Sequence, residues 1–134
     1  MDRRWTKLAA LTREEFEGYL RDSLSHLYDP NYLRATPLAR LLGVAGRANT
    51  PTVLRRIFTQ AIESLEPSPD EPLHSRTWRM YNTLLYLYVQ KMNQEKAADK
   101  MALSARQVRR DRTAGVRALA DLLWERYGLG DRQV

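Results

Sequence analysis

Three prolines in the first half of the sequence each stand directly after a residue that can cap a helix. These pairs are Asp29-Pro30, Thr36-Pro37 and Thr50-Pro51. Proline suits the first position of a helix, because its missing N–H would have no partner there and its fixed φ already matches the helix. The three pairs therefore predict short helices whose starts are sharply defined.

An earlier helix start lies upstream of these pairs. Thr12 and Glu15 have the spacing of a capping box, in which each side chain bonds the backbone N–H of the other residue. Apolar residues follow at helical intervals, and they are Phe16, Tyr19, Leu20, Leu24 and Leu27. This pattern predicts an amphipathic helix that ends near Tyr28.

Similar patterns predict helices in the remainder of the N-terminal half of the chain. A helix is expected from Leu38 to Val44, ended by glycines, and another from Thr50 to about Glu66 with a wide apolar face. No stretch alternates apolar and polar residues as a half-buried strand would. The sequence therefore predicts an all-α fold, a bundle of several helices.

A proline-rich segment divides the chain. The run PSPDEP, from Pro67 to Pro72, fixes φ and removes backbone donors, so we expect a loop over residues 67–74. It would separate an N-terminal helical half, residues 1–66, from a second part, residues 75–134. That second part opens with the most hydrophobic segment, Ser75 to Lys91, which we expect to be a central helix buried on nearly all sides.

The charge of the chain is locally concentrated. The 134 residues carry 22 Lys+Arg and 16 Asp+Glu, a net charge of +6. Between Ser104 and Arg117 there are five arginines and a single acid, Asp111, so most of the excess lies in this stretch. A basic cluster points to a polyanionic partner, and nucleic acid is the commonest one.

Several function classes lack their usual residues. The chain has no cysteine, and its two histidines, His26 and His74, are far apart without ligand-spaced companions, so we expect neither a metal nor another cofactor. No catalytic Ser/His/Asp set and no glycine-rich phosphate loop is visible, so we expect no enzymatic activity. No apolar run reaches the ~20 residues of a membrane span, and we expect a cytoplasmic protein with no membrane partner.

The segment from Met92 to Arg117 is predicted to form two helices joined by a tight turn. Asn93 can cap the first helix and Ser104 the second. At about 100° per residue, the second helix places apolar residues on one side, namely Val108, Gly115, Leu119, Leu122 and Leu123. The other side gathers Arg106, Arg109, Arg110, Thr113 and Arg117. One face is predicted to be buried and the other to be cationic.

The order of residues here resembles the helix-turn-helix of the fourth conserved region of bacterial sigma factors and the related output domains of response regulators. The matching residues are Asn93, Gln94-Glu95, Ala97-Ala98, Met101-Ala102-Leu103-Ser104 and Val108. The resemblance covers roughly Leu84 to Trp124. It implies that the helix after Ser104 is a recognition helix lying in the DNA major groove.

The resemblance also implies which side chains meet DNA. Arg106, Gln107, Arg109 and Arg110 would reach bases and phosphates. Thr113 is a candidate phosphate contact on the same face, and Arg117 completes the row of cationic residues. Glutamine can read adenine and arginine can read guanine through paired hydrogen bonds.

The sequence departs from the family pattern at two positions. Ala102 stands where the turn usually has glycine, and a positive φ disfavours alanine by about 1 kcal/mol or more, so a different type of turn is expected. Arg112 stands where the family has leucine. We expect its side chain either to extend out to solvent or to meet a carboxylate, Glu95 or Asp99.

These observations predict a DNA-binding transcriptional regulator that binds double-stranded DNA sequence-specifically through an arginine-rich recognition helix. Such modules commonly act as two-fold dimers, so a homodimer formed through the N-terminal half is expected. The alternative is a non-catalytic protein-protein interaction module that keeps the helix-turn-helix fold and binds RNA polymerase or a signalling partner. The two departures from the family pattern favour this alternative.

Overall fold

The computed structural model describes residues 11–130, and all regular secondary structure in that range is helical. No strand occurs among these residues, which confirms the predicted all-α class. None of the helices in the same range is both long enough and apolar enough to cross a membrane.

The first helix, α1 (Arg13–Ser25), begins at the predicted capping box. The Thr12 hydroxyl accepts from the backbone N–H of Glu15 at 3.1 Å, and the Glu15 carboxylate accepts from the Thr12 N–H at 3.3 Å. Two of the unpaired donors at the helix start are satisfied in this way. The prediction of the helix start is confirmed, and the helix ends a few residues earlier than expected.

Two of the three residue-proline pairs start helices in the predicted way. These helices are α2 (Pro30–Ala35) and α3 (Pro37–Leu41). The Asp29 carboxylate accepts from the backbone N–H of Tyr32, and the Thr36 hydroxyl accepts from that of Leu38. Helix α3 is shorter than the predicted segment, which extended to Val44.

The third pair starts α4 (Thr50–Glu63) by a different arrangement. The Thr50 hydroxyl donates to the carbonyl of Val44 at 2.7 Å and accepts from the N–H of Arg47 at 3.0 Å. It therefore holds the preceding loop closed instead of capping its own helix. The Thr50 side chain is fully buried, so these two bonds satisfy a polar group without access to water.

No helix occurs between residues 64 and 75, in agreement with the expected proline-rich loop. The remaining elements are α5 (Arg76–Leu84), a π-helical turn (Leu85–Val89), α6 (Gln94–Met101) and α7 (Ala105–Arg126). The predicted central helix is thus α5 followed by the π-helical turn. The expectation of burial on nearly all sides is wrong, because only one side of this segment is fully buried and its other large apolar residues are half-buried, namely Trp78, Met80, Leu85, Leu87 and Val89.

The chain forms two compact units. The first contains the described residues up to Phe58 and those from Ala120 onward, and the second is Thr59–Leu119. This division differs from the predicted boundary at the proline-rich loop, which lies inside the second unit. The reason is that α4 and α7 each supply residues to both units, a feature that proline positions do not reveal.

Within the first unit, the end of α7 packs against α1. The ring of Phe16 meets the ring of Trp124 edge to face, with centroids 5.6 Å apart. Arg13 forms a salt bridge with Asp121, and its guanidinium lies over the Trp124 ring. Leucines complete the buried core of this unit, and they include Leu20, Leu24, Leu33, Leu38 and Leu54.

Within the second unit, α7 approaches α5 closely at Gly115. Gly115 is buried, and a Cβ added to it would lie 3.0 Å from Cγ of Leu84, whose side chain is also fully buried. The absence of a side chain at Gly115 therefore allows the two helices to approach at this point. Val108, Val116 and Leu119 are buried on the same side of α7.

The turn between α6 and α7 is the glycine-type turn, contrary to our expectation. Ala102 has φ 54° and ψ 44°, which is left-handed, and the N–H groups of Ala102 and Leu103 bond the carbonyls of Asp99 and Ala98. This is the Schellman arrangement that ends many helices. It satisfies carbonyl groups at the end of α6, and those bonds hold alanine in the unfavourable conformation.

Replacing Ala102 by glycine should therefore stabilise the protein. Glycine has no Cβ to oppose positive φ, so Ala102→Gly should raise the free energy of unfolding by about 1 kcal/mol. Urea denaturation followed by circular dichroism measures this change. Ala118→Gly is the control, since residue 118 lies in the right-handed interior of α7, where glycine should lower stability by about 1 kcal/mol. Loss of stability in both variants would contradict the assignment of the turn.

Candidate nucleic-acid interface

The predicted pair of helices is present as α6 and α7, joined by residues 102–104. The Asn93 side chain accepts from the N–H of Lys96 at 2.8 Å and caps α6. The Ser104 hydroxyl accepts from the N–H of Gln107 at 3.0 Å and caps α7. Both predicted caps are confirmed, and they fix where the cationic helix begins.

The structure brings together on one side of α7 most of the residues singled out by the sequence. Five of them are exposed: Arg106, Arg109, Arg110, Thr113 and Arg117. With the half-buried Ala114 they line an open groove of about 500 Å³, which we call the arginine groove. The spacing of three, four and seven residues along one helix explains why they share a face.

The arginine groove is formed by a single helix. Its walls come from α7 alone, and no residue of another element between residues 11 and 130 lines it. The opposite side of α7 is occupied by the contacts of Val108 and Gly115 with the core of the second unit. Burial of one side therefore determines that the arginines point outward.

Asp111 is the acid within the arginine-rich stretch, and it is buried with 3% of its surface exposed. Its Oδ2 lies 3.3 Å from Nε of Arg79 on α5, and its Oδ1 accepts from Nε2 of Gln107 at 2.9 Å. A buried carboxylate requires such donors, because water no longer solvates its charge. The carboxylate is thus paired inside the second unit and does not line the arginine groove.

Sequence reasoning counted Asp111 as one negative charge among the arginines and missed this role. The signal available was its spacing of four residues from Gln107, which places the two side chains together on a helix. The other partner, Arg79, lies 32 residues earlier, and no local pattern connects it to Asp111.

Gln107 was predicted to reach DNA, and the structure gives its side chain another contact. The side chain is half-buried, does not line the arginine groove, and donates its amide to Asp111. Direct contact between Gln107 and DNA remains a prediction, and such a contact would require this amide to leave the carboxylate.

Arg112 follows the first of the two expected alternatives. Its side chain is half-buried, and neither Glu95 nor Asp99 forms a salt bridge with it in the described part of the chain. The aliphatic part of arginine can cover apolar surface while the guanidinium stays in water. This explains how a charged residue replaces the leucine of the family pattern.

The contacts of Asp111 generate a stability prediction. Asp111→Asn keeps the size of the side chain and removes the charge that faces Arg79, so it should lower the free energy of unfolding by about 2 kcal/mol. Chemical denaturation measures the difference. Asp99→Asn, at an exposed position on α6, is the matched control and should change stability by less than about 0.5 kcal/mol. Equal effects of the two variants would show that the Asp111 contacts contribute nothing particular.

Among residues 11–130 no group of three His, Cys, Asp or Glu side chains could hold a metal ion. Comparison of the chain with protein-family models, with curated proteins and with solved structures found no match.

Proposed function

We propose that this protein binds double-stranded DNA through the arginine groove and acts as a transcriptional regulator. In this proposal α6 and α7 form a helix-turn-helix of the sigma-region-four type, with α7 as the recognition helix. One observation carries the proposal: four arginines line an open groove on a single helix, and the acid in the same stretch is buried on another side.

The dimensions of this surface suit duplex DNA. From Arg106 to Arg117 the arginine row extends about 16 Å along the helix, at 1.5 Å per residue. An α-helix with its side chains is about 10–12 Å wide, which matches the major groove of about 12 Å. The side chains that line this groove all belong to α7, so a single helix presents the whole cationic row.

The electrostatics favour a partner with regularly spaced negative charge. Each arginine that neutralises a phosphate releases a counterion condensed on the DNA, so the affinity depends on salt. The arginine groove concentrates four such side chains within about three helical turns. A small monovalent anion carries too little charge to balance more than one of these side chains.

The proposal predicts a steep salt dependence. With four phosphate contacts, log K should fall against log salt with a slope of about −3.6. Fluorescence anisotropy with a labelled duplex, titrated between about 50 and 200 mM salt, measures this slope.

Two substitutions that each remove one positive charge show whether DNA binding depends on the arginine groove or only on the net charge of the protein. Arg110→Gln removes an exposed arginine from the groove and should reduce the magnitude of the slope by about 0.9. Arg112→Gln removes a half-buried arginine of the same helix that does not line the groove, and it should leave the slope nearly unchanged. Equal changes in the two variants would show that net charge, and not the groove, attracts the DNA.

The same titration distinguishes DNA binding from the alternative function. If no duplex binds at the lowest salt, where attraction is strongest, the DNA-binding proposal is wrong. The protein would then be a non-catalytic interaction module, with RNA polymerase or a signalling protein as the kind of partner to test.

A further inference from the structure

Three arginines of the groove lack hydrogen-bonded support from the part of the chain that the structure describes. The side chains of Arg106, Arg109 and Arg110 make no hydrogen bond or ion pair with any residue in the described range, 11–130. By contrast, Arg79 donates from Nε to Asp111 and from a terminal nitrogen to the carbonyl of His74. Hydrogen bonds therefore orient Arg79, whereas no such bond to residues 11–130 orients the side chains of these three arginines.

Hydrogen bonds that hold an arginine in place matter because contacts to base edges and contacts to phosphates require different geometries. Reading a guanine edge requires a guanidinium held to within about 0.5 Å and 10–20°, which takes packing and supporting hydrogen bonds. A phosphate attracts a cation from many directions and needs no such orientation. Unsupported arginines on an exposed face suit phosphates.

The neutral polar side chains that could read bases are already engaged. The Gln107 amide donates to Asp111 at 2.9 Å, and the Thr113 hydroxyl donates to the carbonyl of Arg109 at 3.1 Å. Besides the Thr113 hydroxyl, which already donates to the Arg109 carbonyl, the polar side-chain groups that line the arginine groove are guanidinium groups. Asp111 thus acts as a positioning residue that keeps Gln107 away from the bound surface.

The length of the arginine row leads to the same conclusion. Recognition helices contact base edges mainly through residues near their N-terminal end. Here the row continues to Arg117, about three turns into α7, with Ala114 between the arginines. A row of this length can follow successive phosphates along a strand.

We infer that the arginine groove binds the sugar–phosphate backbone of duplex DNA and does not read base edges, so that its affinity depends on charge and little on sequence. This inference rests on the proposed DNA binding. It also departs from the sequence-specific contacts that the family resemblance implies for Arg106, Gln107, Arg109 and Arg110.

Chemically modified duplexes distinguish phosphate contacts from base contacts. A duplex in which every guanine is replaced by 7-deazaguanine lacks the N7 acceptor that arginine needs in the major groove. Its affinity should equal that of the unmodified duplex within about twofold, as expected when contacts only position the protein. In a duplex with a patch of uncharged methylphosphonates, the salt slope should fall in magnitude by about 0.9 for each phosphate lost from the contact.

In a second experiment, the affinities of protein variants are measured for several duplexes of unrelated sequence. Arg110→Gln should weaken binding to all of them by the same factor, because a phosphate contact carries no sequence information. Gln107→Ala should change no affinity beyond about twofold, since this amide faces Asp111 and not the groove. Thermal melts of both variants confirm that they remain folded at the temperature of measurement.

The outcomes separate the inference from the proposed function. Unmodified duplexes should all bind within about tenfold of one another, whereas sequence-specific proteins prefer their sites by about a thousandfold or more. A strongly preferred sequence, or a marked loss of affinity with 7-deazaguanine, overturns the inference and leaves DNA binding intact. Failure of every duplex to bind at low salt overturns the proposed function and the inference with it.

Discussion

The orientation of α7 depends on the contact between its buried side and α5. Gly115 allows close approach to Leu84, and Asp111 meets Arg79 on the same helix pair. The Gly115–Leu84 contact is apolar and the Asp111–Arg79 contact is ionic. Because both lie on the same side of α7, a rotation of this helix would break both at once. This constraint fixes the outward direction of the arginines, and the proposed function depends on it.

Much of the local structure could be predicted because it depends on neighbours in sequence. The capping box at Thr12 and the cap at Asn93 bond residues three positions away, so a short motif contains all the partners. Thr50 could not be predicted in this way, because its hydroxyl bonds Val44 in the loop before the helix. Ala102 was mispredicted, because intrinsic preference opposes its conformation and the hydrogen bonds at the end of α6 outweigh that preference.

The same distinction applies to the candidate site. Helical periodicity alone places Arg106, Arg109, Arg110 and Arg117 on one face, and the structure agrees with that placement. The engagement of Gln107 depends on Asp111, which is in turn buried beside an arginine from another helix. Contacts of this kind form only when the helices pack, and the pattern of a single segment does not contain them.

The continuity of α7 couples the two compact units thermodynamically. Residues 105–119 of this helix belong to one unit and residues 120–126 to the other. Unfolding one unit alone would require a new helix end in the middle of α7, which leaves four N–H groups unpaired if residues 105–119 unfold, or four carbonyl groups unpaired if residues 120–126 unfold. A ligand bound along residues 105–119 of α7 should therefore slow amide hydrogen exchange in residues 120–126, although it makes no contact there.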